Sequence, residues 1–280
     1  MTEKLTVEIF AGIKHLEIEI KRINILIGPQ ASGKSVCAKL LFYFKNFVWA
    51  MLSAVENEQS KSNLDSKYCK IFEEYFPPES WGNHDFLIRY EVSNVFIEVS
   101  RKHVTKGKVV LKYSDFFKLE WTKLRNLLKK AKEKDLDRGS EYDRIDRLFT
   151  IRDTLRNYFM DSLCTSIGKE VAFSQLFIPA GRSFFANLQS SIFSFLSSNN
   201  ALDPFLKNFG STYEKLKAIR LRSKDKSENH KNIQDEINKL IEESLCGRHV
   251  REKSKDFLEL IDGRRIDVSS SSSGQQETLP

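Results

Sequence analysis

Gly28-Pro-Gln-Ala-Ser-Gly-Lys-Ser35 is the stretch of this sequence best equipped for chemistry. Its residue types and spacing fit G-x-x-x-x-G-K-[ST], a loop that cradles the phosphates of a nucleoside triphosphate. Gly28 and Gly33 permit backbone angles and a close approach that a side chain would block. Backbone N–H groups from Ala31 to Ser35 can converge on a phosphate, helped by the positive end of a following helix. Lys34 can reach β- and γ-phosphate oxygens as a point charge, and the Ser35 hydroxyl can bind the Mg²⁺ that bridges them. The expected ATP-binding residues are therefore Gly28, Pro29, Gln30, Ala31, Ser32, Gly33, Lys34 and Ser35, with Ser35 as the Mg²⁺ ligand. A chance match is expected on the order of once in a hundred such chains. The competing explanation is a glycine-rich turn that holds no nucleotide.

Such a loop must be carried by a strand and a helix. Residues 23–27 (INILI) form a nearly continuous apolar run, suited to a strand covered on both faces. A helix of about five turns is expected from Lys34. Upstream, residues 5–10 and 15–20 alternate apolar and polar around Ala11-Gly12, which predicts a hairpin. Residues 56–80 turn polar and irregular, as a surface excursion would. Residues 86–92, 95–100 and 108–112 predict an antiparallel meander. Helical spacing runs over residues 116–167, with a charged break near residues 134–140. A further strand is expected at residues 176–180, a helix at 183–196, and helices over 203–245 joined by the polar run RSKDKSENHKN. Residues 257–261 and 265–268 flank Asp262-Gly263, a two-residue hairpin signal. No internal repeat is present.

The 280 residues suffice for one large domain or two small ones. The charge of +7 tilts mildly toward anionic partners such as nucleotides or nucleic acid, and equally suits plain solubility. Cys37, Cys69, Cys164 and Cys246 are far apart and form no CxxC pair, which favours reduced thiols over disulfides or zinc. The five histidines are equally scattered. The apolar run FYFKNFVWAMLSAV is interrupted by Lys45 and Asn46, so no membrane span is expected and a cytoplasmic location is. Hydrolysis needs an acidic residue at the end of a second apolar strand. The nearest match, Phe257-Leu-Glu-Leu-Ile-Asp262, is broken by Glu259 and runs into a turn glycine, so no catalytic residue is assigned.

The chain closes on SSSSSGQQETLP. Taken alone, this run fits a flexible linker. Downstream of the phosphate loop it has a second meaning. A hairpin, INILIGPQASGKS, a meander, a helical insertion, FIPAGRSFF, a hairpin and SSSGQQE, in that order, resemble ABC-type ATPase heads. The nearest group is that of OLD nucleases, RecF and SMC proteins, and bacterial anti-phage ATPases of the Septu PtuA and retron-associated types. Only the phosphate loop and the last few residues are specific.

The resemblance implies an α/β fold: a P-loop ABC-type ATPase head with an N-terminal antiparallel β subdomain and a helical insertion. It divides into residues 1–115, carrying the P-loop and meander, 116–175, the helical insertion, and 176–280, with a Q-loop-like strand, helical lobe and signature. Ser272, Ser273, Gly274 and Gln275 then match the ABC signature, which closes over an ATP held by a second head. Ser271 stands where leucine is usual, and Gln30 where asparagine is. Arg182 occupies the Q-loop region in place of the expected glutamine, meeting either phosphate or the partner head, or else a structural salt bridge; Gln175 lies earlier. Walker B and its catalytic glutamate follow the signature in that family, so the resemblance implies a longer polypeptide that this chain leaves before Walker B. It further implies ATP and Mg²⁺ as cofactors, an ATP-sandwich dimer with a second copy, and a nuclease effector of HNH or Toprim type. DNA or RNA contact is compatible with it, and a membrane is not expected. The expected function is an ATPase regulating an effector in anti-phage defence, with this segment alone weak or inactive. The alternatives are a RecF/SMC-like repair ATPase and a non-catalytic ATP-dependent assembly module.

Overall fold

The computed structural model describes residues 2–103, 107–135, 141–180, 203–220, 228–252 and 255–278. They form a mixed α/β protein of two compact units, Met1–Gln175 and Leu176–Pro280.

In the first unit, β1 (Glu3–Phe10) and β2 (Ile13–Ile20) form the expected hairpin, with Phe10 opposite Ile13 across Ala11-Gly12. Ala11 (φ 50°) and Gly12 (φ 84°) both adopt the left-handed angles that a tight two-residue hairpin turn requires. The meander β3 (Phe86–Val92), β4 (Val95–Arg101) and β5 (Val109–Tyr113) adds to β1, giving a five-stranded antiparallel sheet in the order β2-β1-β3-β4-β5.

Helix α1 (Lys34–Glu56) lies in the core, burying Leu40, Phe44, Phe47, Val48 and Met51 with Leu5, Val7, Ile88, Tyr90, Ile97 and Val99 of the sheet. By length and composition it could cross a membrane, but half of its most apolar window is buried inside the protein. The two polar residues that interrupt the run are both engaged: Lys45 pairs with Glu3 at 2.7 Å, and Asn46 donates to the Phe42 carbonyl at 2.9 Å.

Residues expected to be irregular contain a second helix, α2 (Lys61–Tyr75). Ser60 caps it by accepting the Asn63 N–H at 3.1 Å. Leu64, Tyr68 and Phe72, four residues apart, are buried on one face. Tyr43 and Tyr68 tie α2 to α1 reciprocally, each hydroxyl donating to the other's carbonyl. Phe10, Phe72, Phe76 and Phe86 meet between sheet and helix, with centroids as close as 4.9 Å. Helices α3 (Asp115–Asp135) and α4 (Glu141–Ile167) extend the same core through Phe117, Leu124, Leu155, Phe159 and Leu163. The short α5 (Lys169–Ala172) follows.

In the second unit, α6 (Pro204–Arg220) and α7 (Glu228–Leu245) precede an antiparallel sheet of β6 (Gly247–Glu252), β7 (Lys255–Leu260) and β8 (Arg265–Asp267). The expected two-residue turn at Asp262-Gly263 is one residue longer. Leu260 N–H donates to the Arg264 carbonyl at 2.8 Å, and residues 261–263 form the loop, with Gly263 at φ 83°. Asp262 accepts from the Arg264 backbone and guanidinium at 3.1 and 2.8 Å, which favours this longer closure. A 3-10 turn (Val268–Ser270) and helix α8 (Ser273–Thr278) complete the unit around Leu245, Leu258 and Val268.

Two expected strands join no sheet. Residues 23–27 are irregular, with a bend at Ile23 and no ladder bonds, and Ile23, Ile25 and Ile27 are at 79%, 78% and 90% exposure. Residues 176–180 also lack ladder bonds, and Leu176 and Ile178 are exposed. The expected helix at 183–196 lies outside the described residues.

Candidate functional site

The loop of residues 28–33 follows the irregular residues 23–27 and runs directly into α1. Gly28, Pro29, Gln30, Ala31 and Ser32 are exposed, Gly33 and Lys34 are half-buried, and Ser35 faces solvent. Gly33 is the N-cap of α1, at φ 87° and ψ 3°, with no side-chain cap. This left-handed geometry explains a glycine immediately before the lysine. The N–H of Cys37 donates to the Gly33 carbonyl at 3.0 Å, so the helix begins there.

No acidic residue lies in the first turn of this 23-residue helix. Its positive end is therefore not neutralised by its own side chains, which suits it to an anion. The Lys34 ammonium folds over the loop, donating to the Gly28 carbonyl at 2.7 Å, to the Pro29 carbonyl, and to Ser32 Oγ at 3.3 Å. One cation thus spans the loop from its first residue to its fifth. Behind the loop, burial pushes the Cys37 thiol up, so it is a packing residue rather than a nucleophile.

Ala31 also takes a left-handed angle, at φ 61°. A non-glycine residue there carries steric strain, and Ala31 is the loop's strained position. Gly33 has a close neighbour as well: a Cβ built on it would lie 2.7 Å from Cγ1 and 2.8 Å from Cδ1 of Ile13. Nothing in the local pattern GPQASGKS announces that contact.

The second candidate cluster belongs to the other unit. Ser272, Ser273 and Gly274 are exposed and Gln275 is half-buried. They open α8 through a capping box rather than a linker. The Ser272 N–H and hydroxyl both donate to Gln275 Oε1, at 3.2 and 3.1 Å, while Gln275 N–H donates to Ser272 Oγ at 3.3 Å. Gln275 Nε2 also donates to the carbonyl of Leu245 at 2.8 Å, anchoring α8 to the end of α7. The buried Gln276 amide donates to the carbonyls of Ser269 and Ser271, both at 3.0 Å. The S-x-x-Q spacing is the sequence signal for this cap.

Comparison with protein families, with curated proteins and with solved structures gives no match for this chain. Its chemistry therefore rests on the geometry just described. Arg182 lies outside the described residues. Gln175 is half-buried, its amide donating to the Phe173 carbonyl at 2.9 Å. Among the described residues no group of three His, Cys, Asp or Glu side chains is placed to hold a metal ion. The only metal donor assigned at the loop is the Ser35 hydroxyl. That fits Mg²⁺ only as a phosphate-bridged ion completed by water, since Mg²⁺ favours phosphate and carboxylate oxygens.

Proposed function

We propose that this chain is the nucleotide-binding part of an ABC-type ATPase head that dimerises around ATP. The observation carrying this reading is the start of α1: a left-handed glycine, an acid-free helix end and a lysine folded over the loop, in the spacing G-x-x-x-x-G-K-S. In this reading Lys34 exchanges its loop carbonyls for β- and γ-phosphate oxygens, and the amides of residues 31–35 hold the β-phosphate. Ser35 holds the Mg²⁺ that bridges those phosphates. The capped α8 start offers Ser272 to the ATP of a second copy. The protein then acts in the cytoplasm on a nuclease effector of anti-phage defence, with DNA or RNA as that effector's substrate.

Titration of ATP and Mg²⁺ into the chain by calorimetry tests the reading. Lys34→Ala removes the cation spanning the loop, and triphosphate binding is expected to vanish; unchanged affinity would refute the assignment. A second reading, a non-catalytic module using ATP only to set its assembly state, is favoured by one observation: Asp262, the nearest sequence candidate for the hydrolytic acid, is engaged by Arg264 in the β7–β8 turn. ATP binding with dimerisation and no turnover in a version carrying further native sequence would select it. A RecF/SMC-like repair role is separated from defence by asking whether DNA ends or phage infection stimulate turnover.

A further inference from the structure

We infer that Ile13 is a positioning residue for the phosphate loop: the β1–β2 hairpin buttresses Gly33, and through it the start of α1, from the side. This inference rests on the nucleotide reading above and adds a residue that touches no phosphate. Ile13 follows the Ala11-Gly12 turn and pairs with Phe10, a fully buried residue of the aromatic core. Its own side chain is half-buried and packs against that core. The two carbons of Ile13 nearest Gly33 lie where a Cβ on residue 33 would clash, so the hairpin fills the space that the glycine leaves open. Gly33 is in turn held at φ 87°, the angle that turns the chain from the loop into the helix.

The hairpin end is itself strained. Ile9 and Ala11 both have φ of 50°, and for β-branched Ile9, exposed at 55%, that angle is a rare one. Strain of this kind persists only where surrounding structure imposes it. Here the imposing structure is a hairpin anchored by Phe10 on one side and seated on Gly33 on the other. Shortening Ile13 opens a gap beside the one residue whose backbone angle aims Lys34 and the first amides of α1. The lysine and the amides then sample a wider range of directions, and a ligand must reorder them.

Ile13→Ala should therefore weaken ATP–Mg²⁺ binding on the order of tenfold, as losing an outer support does for groups that touch a ligand. Ile13→Val, which keeps a γ-carbon at the position of Cγ1 and loses only Cδ1, should restore most of the affinity. Hydrogen exchange in the ligand-free protein supplies a readout independent of nucleotide: the Cys37 amide, which donates to the Gly33 carbonyl, should exchange faster in Ile13→Ala, with the middle of α1 unchanged. Four arms separate the outcomes. If Lys34→Ala abolishes binding while Ile13→Ala binds as tightly as the parent, with unaltered exchange at the Cys37 amide, the positioning role is overturned and the nucleotide reading stands. If the parent chain binds no triphosphate, that reading fails and this inference falls with it. Uniformly faster exchange throughout α1 would make Ile13 a general core residue and also overturn the inference. A double-variant cycle of Ile13→Ala with Gly33→Ala closes the test. Relief of part of the Gly33→Ala defect supports direct contact, and simple additivity contradicts it.

Discussion

At the scale of single residues, the loop of residues 28–33 holds two left-handed positions of different character. Gly33 meets that requirement without steric penalty, whereas Ala31 carries about 1–2 kcal/mol of strain at φ 61°. Ala31→Gly removes the strain but frees the unfolded chain, a loss of roughly 0.5–1 kcal/mol. The net expectation is a neutral to slightly positive change, up to about 1 kcal/mol, in urea unfolding. Ala31→Val puts a branched side chain at the same angle and should lose about 1 kcal/mol or more. Equal midpoints for the two variants would show that residue 31 relaxes to a negative φ in solution. In the second unit Asp267 makes a comparable local commitment. Hydrogen bonds from Ser269 Oγ (2.7 Å) and N–H (2.9 Å) hold its carboxyl below the usual aspartate range. Because the folded-state value is depressed, the stabilisation is present above the ordinary aspartate range and is lost as pH falls through the depressed value. The Ser269 amide resonance should therefore move only in acid, and Asp267→Asn should abolish that movement. A parent resonance that titrates at or above the ordinary aspartate range contradicts the bonding.

At the scale of elements, the irregular segment before the loop stands apart from the rest of the first unit. Ile23, Ile25 and Ile27 are apolar enough for a buried strand yet lie in solvent. Side chains without packing contribute little to stability. The double variant Ile25→Lys with Ile27→Lys should leave the unfolding free energy within about 0.5 kcal/mol of the parent. It should also reduce self-association, because it breaks an exposed apolar run. A loss beyond about 1 kcal/mol, measured by urea unfolding at low protein concentration, would mean that something covers this segment in solution. The same segment shows where sequence stops being informative. The β1–β2 hairpin and α1 were legible because alternation and helical spacing are local properties. The strand expected at residues 23–27 is absent from the fold, because pairing depends on a neighbour that no local pattern supplies. Helix α2 was hidden by its polar composition, since Cys69, Ile71 and Tyr75 pack against the core only in part and its buried residues are Leu64, Tyr68 and Phe72. Its start was readable in Ser60 and the spacing of those three. Strand β6, written GRHVRE, offers no alternation at all and owes its existence to β7 and α7. The candidate loop is eight contiguous residues and so stands out in the sequence, whereas the contact of Ile13 with Gly33 does not, because they lie twenty positions apart and only the fold joins them.

At the scale of the whole molecule, the phosphate loop and the SSGQ segment fall in different compact units, and the proposed function assigns them to opposite sides of one ATP. The capping box gives a way to separate what Ser272 does for its own helix from what it offers a neighbour. Aspartate caps a helix about as well as serine, so Ser272→Asp keeps α8 in place while adding a negative charge at its exposed start. Asparagine caps equally well and adds none. If this helix start receives the γ-phosphate of a second copy's ATP, the aspartate repels it and the asparagine does not. Both variants should bind ATP through their own phosphate loop with the parent's affinity, since that loop is unaltered. Only Ser272→Asn should then sediment as a dimer in ATP and Mg²⁺; Ser272→Asp should remain monomeric. Equal dimerisation by both variants would leave Ser272 a helix cap alone. Failure of both, with ATP affinity intact and α8 folded, would assign the neighbour's contact to the serine hydroxyl itself, because charge would then be irrelevant to the loss.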